Sequence, residues 1–340
     1  MSRSAVAIAG KVISRTVATS VLARVGRYRS WPDEALLLSE PLALAEERTS
    51  RLRRIYANSM RDAWDGPTLF REAMARHGGI QLAPEQRLHL AYPISMLMWG
   101  ELAAWIVSAE LAERLEDADA RMAASSQVFD EARHFYTLRD YLAALHVPAP
   151  KLDTYFAIAA RRLLMTQDLD LKLFAMQILA EGTAQAIFRF LADARIEPVL
   201  TDLLPYIERD EARHVGLGVL HLPQRLARRT PKQCRRLASQ VGAIGDLFGA
   251  TQIRYIEHYR ALGAEPRDLF RAADKMLNEL SHKLGRIPGT EEPYFRTADP
   301  TSPDYERNLS LVLPRAGRPL GRVARAVRAL VDFGARALPA

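Results

Sequence analysis

The chain contains the pentapeptide Asp-Glu-Ala-Arg-His twice, at Asp130–His134 and at Asp210–His214, with an offset of 80 residues. In each copy the glutamate and the histidine are three residues apart, so on a helix both side chains project from the same face. Each pentapeptide glutamate follows another glutamate, Glu101 or Glu181, by 30 residues. The sequence therefore carries two equivalent triplets of two glutamates and one histidine.

The segments that carry these triplets have the composition and punctuation of helices. Prolines suit the first turn of a helix or follow its end, and they bound each apolar stretch. Apolar residues also match at the offset of 80, as Met96 and Met176 do, so the core is predicted to be a duplicated helix hairpin. The predicted helices are Ile94–Leu115 opened by Pro93, one from about residue 122 to His146, Leu169–Arg195, Pro205–Leu222 ended by Pro223, and the later stretches 232–262 and 266–284.

Four carboxylates and two imidazoles on four helices form the ligand set of a carboxylate-bridged di-iron or di-manganese site in a ferritin-like bundle. We therefore predict an all-α fold, a ferritin-like four-helix bundle with additional flanking helices. Oxygen-rich ligation with one histidine per metal suits iron or manganese better than a structural zinc. The predicted metal ligands are Glu101, Glu131, His134, Glu181, Glu211 and His214.

Glu101 and Glu181 lie within apolar stretches, where an unpaired carboxylate is costly and needs a cation or a proton. A single Glu-x-x-His is usually a solvated helix face, but two copies with the same upstream glutamate do not fit that interpretation. A duplicated bundle that kept these residues without binding metal is the remaining alternative.

The other charged residues of the pentapeptides lie off the ligand face. Ligand imidazoles usually donate their free N–H to a carboxylate. We expect Asp130 to support His214 in this way and Asp210 to support His134, with the arginines pairing to the aspartates. The alternative is a surface ion pair between aspartate and arginine. These supporting residues are Asp130, Arg133, Asp210 and Arg213.

Glu208 lies three residues before Glu211, whereas the matching position in the other half is Val128. Three interpretations fit Glu208: an extra ligand, a polar group in a substrate pocket, or a partly solvated residue beside the site. We favour the third. Any asymmetry between the two metals is expected to begin here.

Residues one helical turn from the ligands are expected to line a mostly apolar cavity, which indicates a small hydrophobic or amphipathic organic substrate. Ordinary bundle core is the alternative interpretation. The predicted lining residues are Leu97, Met98, Trp105, Gln127, Leu138, Gln177, Ile178 and Gln185.

The doubled motif resembles the hydroxylase large subunits of the bacterial multicomponent monooxygenases. It also resembles, more broadly, the ferritin-like superfamily of ribonucleotide reductase radical subunits and soluble acyl-carrier-protein desaturases. The resemblance covers residues 90–225 and implies a di-iron site that activates O2, with one or two bridging carboxylates. It implies Glu101, Glu131 and His134 on one metal, and Glu181, Glu211 and His214 on the other.

Two departures leave the subfamily open. The monooxygenase hydroxylases are longer and carry a threonine four residues after the third glutamate, where this chain has Gln185, with Thr183 nearer. The radical subunits place a tyrosine four residues after the first histidine, where this chain has Leu138, and Tyr136 lies at the wrong angle. A stable tyrosyl radical in that arrangement is therefore not expected.

The amino-acid composition and charge exclude several kinds of site and partner. The single cysteine, Cys234, excludes an internal disulfide and a cysteine-based zinc or iron–sulfur site. Residues 1–30 contribute +6 and residues 314–340 contribute +5 to the formal net charge of +7, so residues 31–313 sum to −4. The basic character belongs to the two ends, and no nucleic-acid partner is predicted.

No run reaches the roughly 18 uninterrupted apolar residues of a membrane span, and Met1–Arg29 reads as neither a signal peptide nor an anchor. A cytoplasmic protein is predicted. The basic amphipathic stretches 5–25 and Leu320–Leu338 suit a membrane surface, a partner, or packing on the bundle itself. The predicted divisions are a basic segment 1–30, a ferritin-like domain 31–285 with its metal core at about 90–225, and a proline-rich extended segment with a basic helix, 286–340.

The residues and the resemblance together predict an O2-activating di-iron oxidase or oxygenase of monooxygenase, oxidase or desaturase type. Its cofactor is two Fe ions or an Mn/Fe pair, with no catalytic residues predicted beyond the metal ligands. No flavin, nicotinamide or iron–sulfur motif is present, so a separate reductase or ferredoxin is implied as the electron donor. A homodimer is compatible with the sequence. The alternatives are an Mn/Fe ligand-binding oxidase and a non-catalytic ferritin-like iron-handling protein.

Overall fold

The computed structural model describes residues 47–313, and helices account for nearly all of its regular structure. The regular backbone pairing outside helices in this range is one isolated β-bridge between Arg286 and Pro293. The prediction of an all-α fold is confirmed. The helices are α1 (Glu47–Arg61), α2 (Gly66–His77), α3 (Pro84–Arg114), α4 (Ala118–Ala144), α5 (Thr154–Met165), α6 (Leu169–Phe174), the π-helical turn π1 (Ala175–Ala180), α7 (Glu181–Asp193), α8 (Pro198–Leu226), α9 (Pro231–Arg254), α10 (Ile256–Ala261), α11 (Pro266–Leu284) and α12 (Tyr305–Val312).

Four long elements form the central bundle: α3, α4, the continuous rod α6–π1–α7, and α8. Helix α3 packs along α4, and α7 packs along α8, which gives two helix hairpins. Helices α1 and α2 pack on α4 and α8, while α5, α9 and α11 pack on the remaining sides. The bundle is thus the ferritin-like arrangement that the repeat predicts, with flanking helices around it.

Three prolines that were expected to open or close bundle helices, Pro93, Pro205 and Pro223, lie inside them. Helix α3 begins at Pro84, nine residues before Pro93. At this start the N–H of Ala83, the residue before the helix, donates a hydrogen bond to the side chain of Gln86 (3.3 Å). Proline is preorganised for the first helical position, so Pro84 fits that position as well as Pro93 does. Burial of Leu90 and its neighbours offsets the hydrogen bond that Pro93 removes.

Helix α8 differs from its prediction in the same way. It begins at Pro198, where the buried Glu197 side chain accepts a hydrogen bond from Leu200 N–H (2.8 Å), and it continues to Leu226. Pro205 and Pro223 are both interior residues. The predicted start at Pro205 and end at Pro223 were wrong, because an apolar face that packs in the bundle extends past both prolines.

The segment 286–318 was predicted to be extended or irregular throughout, and its helix α12 is a correction. The Tyr305 hydroxyl donates to Asp274 of α11 (2.8 Å), and Arg267 donates to the carbonyl oxygen of Leu313 (2.8 Å). These tertiary contacts hold a helix of eight residues that its sequence alone does not mark. Residues 285–304 are irregular as predicted.

Two further boundaries follow from the structure. The stretch 232–262, predicted as one helix, divides at Tyr255 into α9 and α10. The predicted helix Leu169–Arg195 contains the turn π1, in which the N–H of Glu181 bonds to the carbonyl of Met176, five residues back.

The predicted amphipathic stretches 5–25 and Leu320–Leu338 lie outside the described residues, and the domain limits stay predictions.

Helix α3 is long and apolar enough, by length and composition, to cross a membrane. However, 67% of its most apolar window is buried inside the bundle. Burial of this kind is what the core helix of a globular bundle shows, so the length and apolarity of α3 are weak evidence for a membrane span.

A close approach between α8 and π1 depends on Gly218. A Cβ at Gly218 would lie 2.6 Å from the Cβ of Gln177 and 2.8 Å from the Cδ1 of Ile178. Separations below 3 Å require the helices to move apart. Glycine at this position therefore sets how deeply the π turn sits against α8.

We predict that Gly218→Val lowers the free energy of unfolding of the metal-free protein by about 1–3 kcal/mol, the usual cost of overpacking. The matched control is Gly242→Ala on α9, where an added Cβ meets no atom within 4 Å. That change is expected to raise stability by about 0.5–1 kcal/mol, because alanine is the better helix former. Urea unfolding followed by circular dichroism measures both, and equal effects would contradict the close packing.

Candidate metal centre

The six predicted ligands meet at the centre of the bundle. Helix α3 supplies Glu101, α4 supplies Glu131 and His134, the first residue of α7 is Glu181, and α8 supplies the last two. None of the six is more than 4% exposed. The donor atoms fall into two groups, each within 4.8 Å: Glu101, Glu131, His134 and Glu211, and Glu131, Glu181, Glu211 and His214. We name these the Glu101 position and the Glu181 position.

Glu131 and Glu211 belong to both positions. Glu131 directs Oε1 at Nδ1 of His214 (3.1 Å) and Oε2 at Nδ1 of His134 (3.5 Å). Glu211 directs Oε1 at Nδ1 of His134 (3.2 Å) and Oε2 at Nδ1 of His214 (3.1 Å). Each carboxylate therefore faces both imidazoles with a different oxygen, which is the arrangement needed to bridge two metal ions.

The chemistry of the donor set fits two divalent ions. Glu131 Oε2, His134 Nδ1 and Glu211 Oε1 are buried and have no hydrogen-bond partner among the described residues, although buried polar atoms are normally paired. Across residues 47–313, no lysine or arginine forms an ion pair with Glu101 or with the other three carboxylates. Four carboxylates with neutral imidazoles carry four negative charges, which two divalent cations neutralise.

A ring of two aspartates and two arginines supports the histidines. His134 Nε2 lies 3.2 Å from Asp210 Oδ2, and His214 Nε2 lies 3.4 Å from Asp130 Oδ2. Each arginine bonds both aspartates: Arg133 reaches Asp130 (2.5 Å) and Asp210 (2.8 Å), and Arg213 reaches Asp210 (2.7 Å) and Asp130 (3.1 Å). With Nε2 held by a carboxylate, each imidazole presents Nδ1 to the centre.

Two residues outside the repeat complete this ring, and the repeat spacing gave no indication of them. The Ser59 hydroxyl of α1 donates to both oxygens of Asp130 (3.2 and 3.0 Å). The Trp64 indole N–H donates to Asp210 Oδ2 (2.8 Å), and its ring stacks on His134 with centroids 6.1 Å apart. Both come from the chain before α2, where no periodic pattern marks them.

Burial and charge shift the ionisation of all six ligand side chains in the metal-free protein. Burial, and then the charges of Glu211 and Glu131, raise the pKa of Glu101 well above its usual value. The same causes raise the pKa of Glu181. Burial and like charge therefore favour the protonated form of these two carboxyl groups when no cation is bound.

The pKa values of the two histidines are raised for a different reason. Burial alone would lower the pKa of His134, but its bond to Asp210 and the nearby carboxylates of the glutamates outweigh burial and raise that pKa well above its usual value. The pKa of His214 is likewise raised, because the charges of Glu131 and Glu211 outweigh burial. Both imidazoles must lose a proton before Nδ1 can bind a metal ion.

The remaining predicted residues lie at various distances from the centre. Glu208 is partly buried and pairs with Arg189, with Arg189 Nε 2.8 Å from Glu208 Oε1, and it belongs to neither donor group. Gln185 donates to the backbone carbonyl of Glu208 (3.5 Å). Gln127 and Gln177 are buried and form hydrogen bonds beside the ligands. Gln127 donates to carboxylates and Gln177 donates to Gln127, and neither lines the inner cavity described below.

Trp105 does not line the site, because its side chain is 42% exposed on the outer surface of the bundle. It follows Glu101 by one turn plus about 40°, which carries it past the ligand line towards solvent. Leu97 and Ala104, on the other side of that line, reach the cavity instead. Leu138 and Met98 are buried in an apolar cluster and do not line that cavity. Of the predicted lining residues, Leu97 lines this inner cavity.

A small cavity of about 70 Å³ touches both Glu101 and Glu181. Its walls are almost wholly apolar, and much of them comes from α5 and α9, outside the repeated segments. It shares Thr183, Ile187, Phe248 and Gln252 with a larger cavity of about 550 Å³ between α9, α11 and residues 287–298. The inner cavity is lined by Met96, Leu97, Gly100, Ala103, Ala104, Phe156, Ala160, Leu163, Met176, Ala180, Ala184 and Thr251, together with the four shared residues and the two glutamates.

Solved structures that share this fold include R2-like ligand-binding oxidases. One with an aerobically reconstituted metal cofactor after photoconversion has 14% sequence identity and a TM-score of 0.55, covering 76% of this chain and 98% of that chain. A variant with an aerobically reconstituted Mn/Fe cofactor has 14% identity and a TM-score of 0.53, with the same coverage. Another Mn/Fe variant has 16% identity and a TM-score of 0.53, covering 68% and 93%. The chain therefore shares its fold with these structures.

Comparison at the level of sequence finds no such likeness. No protein-family model matches the chain, and no curated protein matches it. The likeness to these oxidases is therefore one of fold and does not extend to sequence.

The raised pKa values predict that metal binding releases protons. Because the pKa values of Glu101, Glu181, His134 and His214 are raised, protons on these groups compete with metal ions, and binding of two divalent ions is expected to release protons. Apparent affinity for Mn(II) should therefore rise with pH. Titration in weakly buffered indicator solution measures the released protons. Metal binding without proton release would contradict these ionisation states.

Proposed function

We propose that the chain is an O2-activating oxidase or oxygenase that uses two metal ions held by Glu101, Glu131, His134, Glu181, Glu211 and His214. The observation that carries this proposal is the pair of carboxylates, Glu131 and Glu211, each of which faces both imidazoles. Paired iron ions, or an Mn/Fe pair, supply the reducing electrons for O2 when bound there. The ligand set is that of di-iron and di-manganese carboxylate proteins.

The residues of the chain contribute fixed geometry and exclusion of water. Asp210 and Asp130 hold the imidazoles with Nδ1 inward, and the arginines fix those aspartates in turn. The apolar walls of the inner cavity keep water away from Glu101 and Glu181. A dry site strengthens every electrostatic interaction within it and protects reactive species from side reactions.

The cavities support a small hydrophobic or amphipathic organic substrate. The inner cavity borders Glu101 and Glu181 directly, so a group placed there lies next to both metal positions. Its small volume admits only the reacting part of a molecule. The larger outer cavity, which shares four lining residues with it, is proposed to hold the remainder.

The electrons are proposed to come from a separate reductase or ferredoxin. Trp64 is partly exposed, and it contacts both Asp210 and His134, so it offers an aromatic contact between the surface and the centre. The single cysteine, Cys234, fits a reducing compartment, so a cytoplasmic location is proposed. A homodimer and contact of the basic ends with a membrane surface stay predictions.

A heterometallic Mn/Fe centre is the second candidate. The R2-like ligand-binding oxidases that share this fold are described with reconstituted Mn/Fe cofactors. The carboxylate and imidazole donors suit both metals. Fe-only and Mn/Fe loading of the same preparation therefore belong in one experiment.

The decisive test is anaerobic loading with Fe(II), followed by reduction and exposure to O2. Wild-type protein is expected to bind two metal ions per chain and to consume O2 rapidly. Glu181→Ala removes a ligand of one position only, so it should weaken binding of one ion by more than about 100-fold and abolish rapid O2 uptake.

Glu208→Ala is the matched control. It removes a glutamate from the same helix as Glu211, but this side chain pairs with Arg189 and lies in neither donor group. It should keep both ions and O2 uptake. Fewer than two ions per wild-type chain would overturn the proposed function. Full loading without O2 uptake would favour the iron-handling alternative.

A further inference from the structure

The two halves of the centre are not equivalent, although the ligands are repeated. At the offset of 80 residues, three polar or small residues beside Glu181 correspond to three apolar residues in the other half. Repetition of the ligands with divergence of their neighbours points to different tasks for the two metal positions. The corresponding pairs are Gln127 and Ile207, Gln177 and Leu97, and Gly218 and Leu138.

Gln127 joins two carboxylates of the Glu181 position. Its buried side-chain amide donates to Glu131 Oε1 (2.9 Å) and to Glu181 Oε1 (2.7 Å). Gln177 donates to Gln127 Oε1 (2.8 Å) and so determines which edge of that amide faces the carboxylates. Gly218 leaves the space in which Gln177 packs, since a Cβ there would lie 2.6 Å from the Cβ of Gln177.

The Glu101 position has no such support. Ile207, Leu97 and Leu138 are buried in one apolar cluster and have no side-chain donors. Among the hydrogen bonds of the described residues, none joins a side-chain amide to Glu101, and Nδ1 of His134, itself a predicted ligand atom, lies 3.5 Å from its Oε2. Glu101 therefore lacks the amide donor that holds Oε1 of Glu181.

We propose that Gln127 is a positioning residue that makes the Glu181 position the tighter one, so that it fills first. This inference rests on the two-metal site of the proposed function. A carboxylate already held in place loses less side-chain freedom when it binds a metal. Hydrogen-bond partners of metal ligands typically contribute 10–100-fold to affinity. Glu101, which no side-chain amide holds, would be the ligand with more freedom to adjust to a second ion.

The test is titration of the metal-free full-length protein with Mn(II), with free Mn(II) followed by electron paramagnetic resonance. The wild-type protein should bind two ions in two steps that differ about 10–100-fold in affinity. Gln127→Leu should weaken the first step by about the same factor and merge the two steps. The matched control is Ile207→Leu at the related position of the other half, which should keep both steps.

Ligand variants assign each step to a position. Glu181→Gln should remove the tight step, and Glu101→Gln should leave it in place. Circular dichroism checks that every variant is folded. If Gln127→Leu does not fold, Gln177→Leu replaces it, because that change keeps the Gln127 amide but frees it to rotate. It should give a smaller loss in the first step.

Three results would overturn the inference: one unresolved step for two ions in wild type, unchanged steps in folded variants of the glutamine pair, or a tight step that follows Glu101. Each can occur in a protein that binds two ions and consumes O2. Failure of this inference is thus distinct from failure of the proposed function, in which fewer than two ions bind or O2 is not consumed.

Discussion

Four carboxylates enclosed in one water-excluded space are the constraint on which the rest of this structure depends. Unpaired charges of the same sign cannot remain together in such a place. Two bound divalent cations would neutralise them, and the raised pKa values of Glu101 and Glu181 favour protons there otherwise. The surrounding bundle is built around this requirement. The ring formed by Asp130, Arg133, Asp210 and Arg213 carries no net charge of its own, so it orients the imidazoles without adding to the negative charge of the site.

The ligands and the fold class could be predicted because helical periodicity is local. Glu131 and His134 lie three apart on any helix, so their shared face follows from the sequence. The repeat then relates the second pair to the first, and the helices that carry Glu101 and Glu181 bring them to the same centre. The cross-bundle contacts from Asp210 to His134 and from Asp130 to His214 follow from the same symmetry.

What the sequence could not reveal depends on contacts between distant segments. Trp64 and Ser59 reach the ring from 146 and 71 residues away from the aspartates they bond. The cavity walls from α5 and α9 carry no mark in the repeat. Trp105 was placed wrongly because four residues exceed one helical turn by about 40°, and this rotation carries its side chain away from the centre. The π turn before Glu181 was missed because a single widened turn leaves the apolar pattern almost unchanged.

The central claim is that Glu131 and Glu211 bridge two metal ions. X-ray absorption spectroscopy on Fe(II)-loaded protein tests it directly, since scattering from a second metal reports the distance between the ions. Shared carboxylates predict two ions per chain, about 3.5–4 Å apart. Two ions without a metal neighbour within about 5 Å, or only one ion per chain, would contradict the claim.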